Sequence, residues 1–289
     1  MKYIAILVGN RFERGLSAGI VAEARGAFAG GDINWLAPGL AAEFPVSAPA
    51  DLQDFARTHA IDAVILPREH RRKRLLVADM DSTIIGCECI DEIADFAGLK
   101  AEISAVTERA MRGELVFEDA LRQRVALLKG FPVEKLARVY AERVRLNPGA
   151  ATLVKTMARH GAVTALVSGG FTFFTSRVAT DAGFALNFAN VLLDDGAHLS
   201  GKVQEPILGR EAKRETLISL AAKGAIPLTE TMALGDGAND LAMVETAGLG
   251  IAYKAKPVLE EKAAAAIRYS DLTAALYFQG YRAAEFAAA

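Results

Sequence analysis

The sequence predicts an α/β fold: a mainly parallel sheet with helices on both faces, an inserted helical cap and a small α/β unit ahead of it. Three observations carry this. Short apolar, strand-like runs at residues 75–78, 162–167, 231–234 and 249–252 alternate with helix-length segments. Residues 91–145 interrupt that alternation with an almost wholly helical block. Polar clusters stand directly after several runs, and ligands collect at the C-terminal edge of open α/β sheets.

In chain order, residues 3–8 read as a strand and 16–28 as a helix ended by Gly30 and Gly31. Residues 33–36 give a second strand, 52–58 a helix and 61–66 a third strand, so residues 1–70 form the small α/β domain. The basic run 70–74 is expected to be a solvated linker, since one short run without aromatic interleaving is a weak nucleic-acid signal. Residues 71–289 make the larger domain, with the cap inserted at about 90–147. Inside the cap, Phe117, Leu121, Val125 and Leu128 recur at helical spacing, and Asn147-Pro148-Gly149 stops the block. After it come a helix at 153–160, a strand at 162–167, a turn at Ser168-Gly169-Gly170 and a helix at 173–182. Residues 188–193 and 199–203 flank Asp194-Asp195-Gly196 as a small hairpin. A helix near 213–222, a strand at 231–234, a turn at 235–240, a helix at 241–247, a strand at 249–252 and an Ala-rich helix at 257–267 complete the series.

Composition narrows the function classes. With 33 basic and 35 acidic side chains the net charge is −2, which gives no support for a strongly basic nucleic-acid-binding surface. Cys87 and Cys89, the only cysteines, stand too close to staple a fold and are too few for a structural zinc site. They are expected to be small semi-buried side chains in a reducing compartment. The apolar run at 3–8 is too short for a signal-peptide core, and no stretch approaches the ~20 apolar residues of a membrane span. A cytoplasmic protein without nucleic-acid or membrane partners is expected. His59, His70, His160 and His198 have no evident catalytic partners.

Four clusters carry the chemistry: Asp79/Asp81/Thr83, Ser168/Gly169/Gly170, Lys213, and Asp236/Asn239/Asp240. Singly, each has a structural explanation as a helix cap, a turn or a solvated lysine. Jointly they supply a nucleophile, a proton carrier, a cation site, a phosphate clamp and a balancing positive charge.

Those clusters resemble the DxDx(T/V), serine, lysine and GDxxxD motifs of the haloacid dehalogenase superfamily of phosphohydrolases. The stretches Asp79-Met-Asp-Ser-Thr-Ile84, Cys89-Ile-Asp-Glu-Ile-Ala94, Ala110-Met-Arg-Gly113, Leu121-Arg-Gln-Arg-Val125, Leu127-Leu-Lys129, Val167-Ser-Gly-Gly-Phe171 and Gly235-Asp-Gly-Ala-Asn-Asp-Leu241 are similar to the members that hydrolyse free phosphoserine. The likeness spans roughly residues 75–270 and leaves residues 1–70 aside.

The resemblance implies a Rossmann-like core and Mg²⁺-dependent hydrolysis of O-phosphoserine, the last step of serine biosynthesis. Asp79 would be the nucleophile, forming an aspartyl-phosphate, and Asp81 the general acid and then base. Mg²⁺ would sit on Asp79, the backbone carbonyl of Asp81 and Asp236, with Asp240 in support through water or Lys213. Lys213 would offset the carboxylate and phosphate charges. Ser168 and the Gly169 N–H would hold phosphate oxygens, and Asn239 would orient phosphate or groups beside Asp81. Glu88 would take the substrate ammonium, Arg124 its carboxylate, and Met111 and Phe117 would form apolar walls. The cap is expected to close over the substrate and exclude water.

Three alternatives stay open at this stage. One is a related phosphatase or phosphotransferase acting on another small phosphorylated metabolite. Another is a phospho-acceptor signalling module, although such a module is about half this length and lacks a helical block after its acidic strand. The third concerns residues 1–70, which could serve as a serine sensor or a homodimer surface. A folded appendage is the default expectation for them.

Overall fold

The computed structural model describes residues 1–288, apart from the side chain of Met111. Residues 1–70 hold β1 (Tyr3–Val8), α1 (Ala18–Ala27), β2 (Asn34–Ala37), β3 (Ala41–Val46), α2 (Gln53–His59) and β4 (Asp62–Pro67). Their strands form an antiparallel sheet in the order β2-β3-β1-β4. The sequence reading misses β3, whose Ala41, Ala42 and Pro45 are weak strand formers. Pairing on both sides and burial of Phe44 override that propensity.

The larger domain opens with β5 (Leu75–Ala78) and then the helices α3 (Cys89–Ala97), α4 (Lys100–Met111), α5 (Phe117–Leu127) and α6 (Val133–Arg143). It continues with α7 (Ala150–Arg159), β6 (Val163–Phe171), α8 (Thr172–Ala182), β7 (Leu186–Asn190), β8 (Leu192–Asp194), β9 (Leu199–Val203) and α9 (Arg210–Lys223). Last come β10 (Thr231–Gly235), α10 (Leu241–Thr246), β11 (Leu249–Tyr253), α11 (Pro257–Glu260), β12 (Ala265–Ile267) and α12 (Ala274–Phe278).

Six strands make one parallel sheet in the order β12-β11-β10-β5-β6-β7. All four residues of β5 are fully buried, as expected for a strand covered on both faces. From β5 the chain winds one way through β6 and β7. It then returns to place β10, β11 and β12 on the other side of β5. The direction therefore reverses at β5, and the crevice at such a switch point is where an open α/β sheet binds its ligand.

Helices α3–α6 stand off this sheet as a cap on two connecting segments. The segments are tied together by an Ile85–Leu146 bridge and by the Asn147 N–H, which donates to the Ile84 carbonyl at 2.8 Å. The Asn147 side chain also donates to the Thr83 carbonyl at 2.8 Å, so the cap's return point is fastened to the loop after β5.

Several expected elements are revised. The 257–267 helix is only α11, and Ala265–Ile267 is an edge strand on β11, because sheet pairing outweighs alanine's helix preference. The Ser168-Gly169-Gly170 turn is instead the end of β6, whose register on β7 shifts between Val167 and Phe171. Residues 188–190 belong to β7 of the main sheet, and only β8 and β9 form the hairpin. Helix α12 is buried on every side, so it shows no amphipathic stripe by which to read it.

The basic run is solvated at His70, Arg72 and Arg74 but tied down at Arg71 and Lys73. The Lys73 ammonium is buried and donates to the carbonyls of His70 and Thr229, both at 2.7 Å. Arg71 pairs with Glu43 of β3 at 2.7 Å. Together with Asp62, which accepts the backbone N–H groups of Arg268, Tyr269 and Ser270, these contacts join the N-terminal sheet to the larger domain. Among the described residues no helix is long and apolar enough to cross a membrane.

Candidate active site

Three adjacent strands at the switch point end in the chemistry-bearing residues. Asp79 and Asp81 follow β5, Ser168 lies near the end of β6, and Asp236 follows β10. Lys213, on α9, reaches beneath them. Its ammonium lies 2.7 Å from Asp79 Oδ1 and 2.7 Å from Asp240 Oδ1 and is only 2% exposed. Asp240 is itself fully buried, and its Oδ2 accepts the backbone N–H groups of Asp236 and Gly237 at 3.1 and 3.2 Å. Such approach requires Gly235, where an added Cβ would fall 2.3 Å from Asp240 Cγ.

The two aspartates after β5 point to different partners. Asp79 Oδ1 accepts the Met80 N–H at 2.8 Å besides meeting Lys213, while among the described residues Oδ2 meets only the Asn239 amide, at 3.5 Å. Asp81 turns away, accepting the Cys89 N–H at 2.9 Å on Oδ1 and the Ser168 hydroxyl at 3.1 Å on Oδ2. Ser168 Oγ in turn accepts the Gly170 N–H at 2.8 Å.

Burial dominates the proton affinities here. It raises Asp81 to about 6, with the charge of Glu88 adding to the effect and the bonds from Cys89 and Ser168 opposing it. Burial raises Asp79 as well, helped by Asp240 and opposed by Lys213. Asp236 is pushed up to about 6 by burial and by Asp240. Burial lowers Lys213, but Asp240 and Asp79 outweigh it and hold the ammonium firmly charged.

Asp79, Asp236 and Asp240 present carboxylate oxygens within 4.8 Å of one another, a group able to hold a metal ion. Lys213 is the cation bonded within this trio, so three carboxylates share one ammonium; Asp236's proton affinity is raised first by burial and then by the charge of Asp240. All-oxygen donors with that surplus of negative charge fit a hard divalent ion. The Asp81 carboxylate is engaged elsewhere, which leaves its backbone carbonyl as what it could offer a cation.

Between this floor and the cap lies a cavity of about 380 Å³. Glu88, Phe117 and Arg124 line it together with Asp79, Asp81, Ser168, Gly169, Asp236 and Asn239. Phe117 lies against β6 so closely that a Cβ on Gly169 would sit 2.9 Å from its ring. Glu88 accepts the Ser82 hydroxyl at 2.8 Å. Among the described residues Arg124 donates from Nε only to the Ala120 carbonyl one turn back, at 3.3 Å. Met111 closes α4, and its side chain lies outside the described residues. Lys213 and Asp240 support the cavity from beneath.

Sequence reasoning missed Asp91, Thr107 and Lys256, which also line the cavity, and the Cys89 N–H that holds Asp81. Asp91 stands three residues beyond Glu88 on the same turn of α3, a spacing that signals a shared face. Lys256 follows β11, so it too occupies a strand end. A backbone donor such as Cys89 leaves no sequence signal.

This arrangement, a switch-point floor of acids and lysine beneath an inserted cap, is that of a phosphate-processing α/β hydrolase. The chain belongs to the haloacid dehalogenase-like hydrolase family, whose model matches residues 76–245. It is 48% identical over 204 residues to a phosphoserine phosphatase of Polaromonas, covering 69% of this chain and 86% of that one. A haloacid dehalogenase family hydrolase from Salmonella enterica superposes with a TM-score of 0.85 at 30% identity, covering 96% of this chain and 97% of the other. The likeness therefore extends into the N-terminal sheet. A phospho-aspartyl intermediate analogue of phosphoserine phosphatase aligns with a TM-score of 0.65 and 42% identity over 72% of this chain and 99% of that one.

Proposed function

We propose that this chain hydrolyses O-phospho-L-serine to serine and phosphate through an aspartyl-phosphate on Asp79. One observation carries the reading: a single cavity joins Asp79 and Asp81 of the floor to Glu88 and Arg124 of the cap. The similarity to phosphoserine phosphatases supports it.

Asp79 Oδ1 is held by Lys213 and the Met80 N–H, so Oδ2 is the oxygen free to attack phosphorus. The Asp79–phosphorus bond forms as the bond to the serine oxygen breaks, and Asp81 delivers its proton to that leaving oxygen. Its raised proton affinity makes the acid form available near pH 6. Asp81, now a carboxylate, then takes a proton from the water that attacks phosphorus and releases Asp79. Ser168, the Gly169 N–H and the N-terminus of α8 hold the phosphate oxygens. A Mg²⁺ ion, held by Asp79, Asp236 and the Asp81 carbonyl with Asp240 in support, would supply charge neutralisation and orient the phosphate.

Free phosphoserine carries an ammonium and a carboxylate at fixed separation. Glu88 answers the first and the planar fork of Arg124 the second, with Phe117 and Met111 as apolar walls. Residues 1–70 serve as a folded appendage to the catalytic domain 71–289, whose cap spans about 90–147. The cytoplasm is the compartment that suits this substrate and the free thiols of Cys87 and Cys89.

The test is phosphate release from phosphoserine with and without Mg²⁺, in wild type and Asp79→Asn. Metal-dependent release that vanishes in the variant is expected. Release by the variant at the wild-type rate, or equal turnover of unrelated sugar phosphates, contradicts the reading.

A further inference from the structure

Among the described residues, the carboxylates lining the cavity all have hydrogen-bond or ion-pair partners except one. Asp79 has Lys213, Asp81 has Ser168 and Cys89, Glu88 has Ser82, and Asp236 meets the Thr83 hydroxyl at 3.5 Å. Asp91 is half-buried in the same wall and has no such partner. It sits in the first turn of α3, three residues after Glu88, and the Asp91 N–H donates to the Glu88 carbonyl at 3.1 Å. Both side chains reach the cavity from that one turn. Arg124 lines the cavity from α5 and likewise has no carboxylate within ion-pair distance among the described residues.

A half-buried carboxylate on a cavity wall can be met by water, but a ligand that fills the cavity displaces that water and must supply a donor in its place. The ligand chemistry that meets it is a cation with several N–H donors, and the primary ammonium of an amino acid has three. Glu88 has already committed one oxygen to Ser82, so a single ammonium bridging Glu88 and Asp91 would fill both carboxylates.

Resting on the proposed phosphoserine reading, we infer that Asp91 is the second carboxylate of the ammonium site and selects phosphate esters that carry an amine. Burial lowers the proton affinity of Arg124, while Asp91, then Glu88 and Asp81, act against it, which sets Asp91 within electrostatic reach of the opposite wall. A role confined to holding Arg124 is the rival account, and it predicts a different substrate pattern.

The experiment compares kcat/KM for phosphoserine, phosphoethanolamine and phosphoglycerate in wild type, Asp91→Asn and Asp91→Ala. Phosphoglycerate has the same phosphate and carboxylate with a hydroxyl in place of the amine, and phosphoethanolamine keeps the amine without the carboxylate. For the two amines, Asp91→Ala should lose about 10- to 100-fold, mostly in KM, the range for a lost charge-assisted hydrogen bond. Asp91→Asn should lose less, and phosphoglycerate should lose nothing, which also reports intact folding. Glu92→Gln, on the same turn but outside the cavity lining, should behave as wild type. Equal losses for phosphoserine and phosphoglycerate, with phosphoethanolamine spared, would assign Asp91 to Arg124 and overturn the inference. So would no loss at all. A wild-type enzyme inactive on phosphoserine overturns the proposed activity itself and removes this inference with it.

Discussion

The floor of the cavity and its cap-side wall handle charge in opposite ways. On the floor, Lys213 is bonded to both Asp79 and Asp240, and Asp240 also takes two backbone N–H groups. On the wall, Arg124 donates only to a carbonyl of its own helix, and Asp91 has no donor among the described residues. The floor is set before any ligand arrives, as electrostatic preorganisation of a reacting centre requires. The wall holds its polar groups in wait for a substrate that brings the missing partners. The proposed function places reaction chemistry on the sheet edge and substrate choice on the cap.

The largest effects should come from breaking the floor. Asp79→Asn removes the proposed nucleophile and should lower kcat about a thousandfold or more, while the circular dichroism spectrum stays native. Lys213→Met leaves Asp79 and Asp240 buried without their counter-charge, and should cost about 3–5 kcal/mol in chemical denaturation as well as activity. An Asp79→Asn/Lys213→Met double variant that recovers part of that stability would sharpen the account, since it removes one of the two stranded charges.

Changes to the wall should act on recognition instead. Arg124→Lys keeps the charge but loses the planar fork, and should raise KM for phosphoserine about tenfold. Turnover of p-nitrophenyl phosphate, which has no carboxylate of this kind, should change little. A kcat loss as large as that of Lys213→Met would erase the distinction between floor and wall.

The smallest effect crosses between the two regions. As the proposed general acid, Asp81 must carry a proton to assist a poor leaving group, so phosphoserine cleavage in single-turnover measurements should fall as pH rises through about 6. The charge of Glu88 contributes to that raised value. Removing it in Glu88→Gln lowers the Asp81 proton affinity, so the falling limb should move to lower pH. With p-nitrophenyl phosphate, whose leaving group needs no proton, this limb should be absent.

Much of the floor was legible in the sequence because strand ends announce themselves. An apolar run of four residues followed by Asp79 and Asp81, or by Asp236, places carboxylates at one sheet edge before any coordinate is known. The family resemblance supplied Glu88 and Arg124, which local patterning would leave as ordinary surface charges. What escaped depends on tertiary contact. The Cys89 N–H on Asp81 is backbone, β12 is alanine forced into a strand by its neighbour β11, and α12 has no polar face to betray its period. Within the basic run, Arg71 and Lys73 read as solvent-loving until Glu43 and the carbonyls of His70 and Thr229 are seen beside them.

The most direct test of the central claim is to trap the covalent intermediate. Enzyme quenched during phosphoserine turnover and reduced with borohydride should convert the phosphorylated aspartate to homoserine, located by peptide mass spectrometry. The account predicts homoserine at position 79 alone, dependent on substrate and metal. Homoserine at Asp81 or Asp236, or none while turnover proceeds, would contradict it.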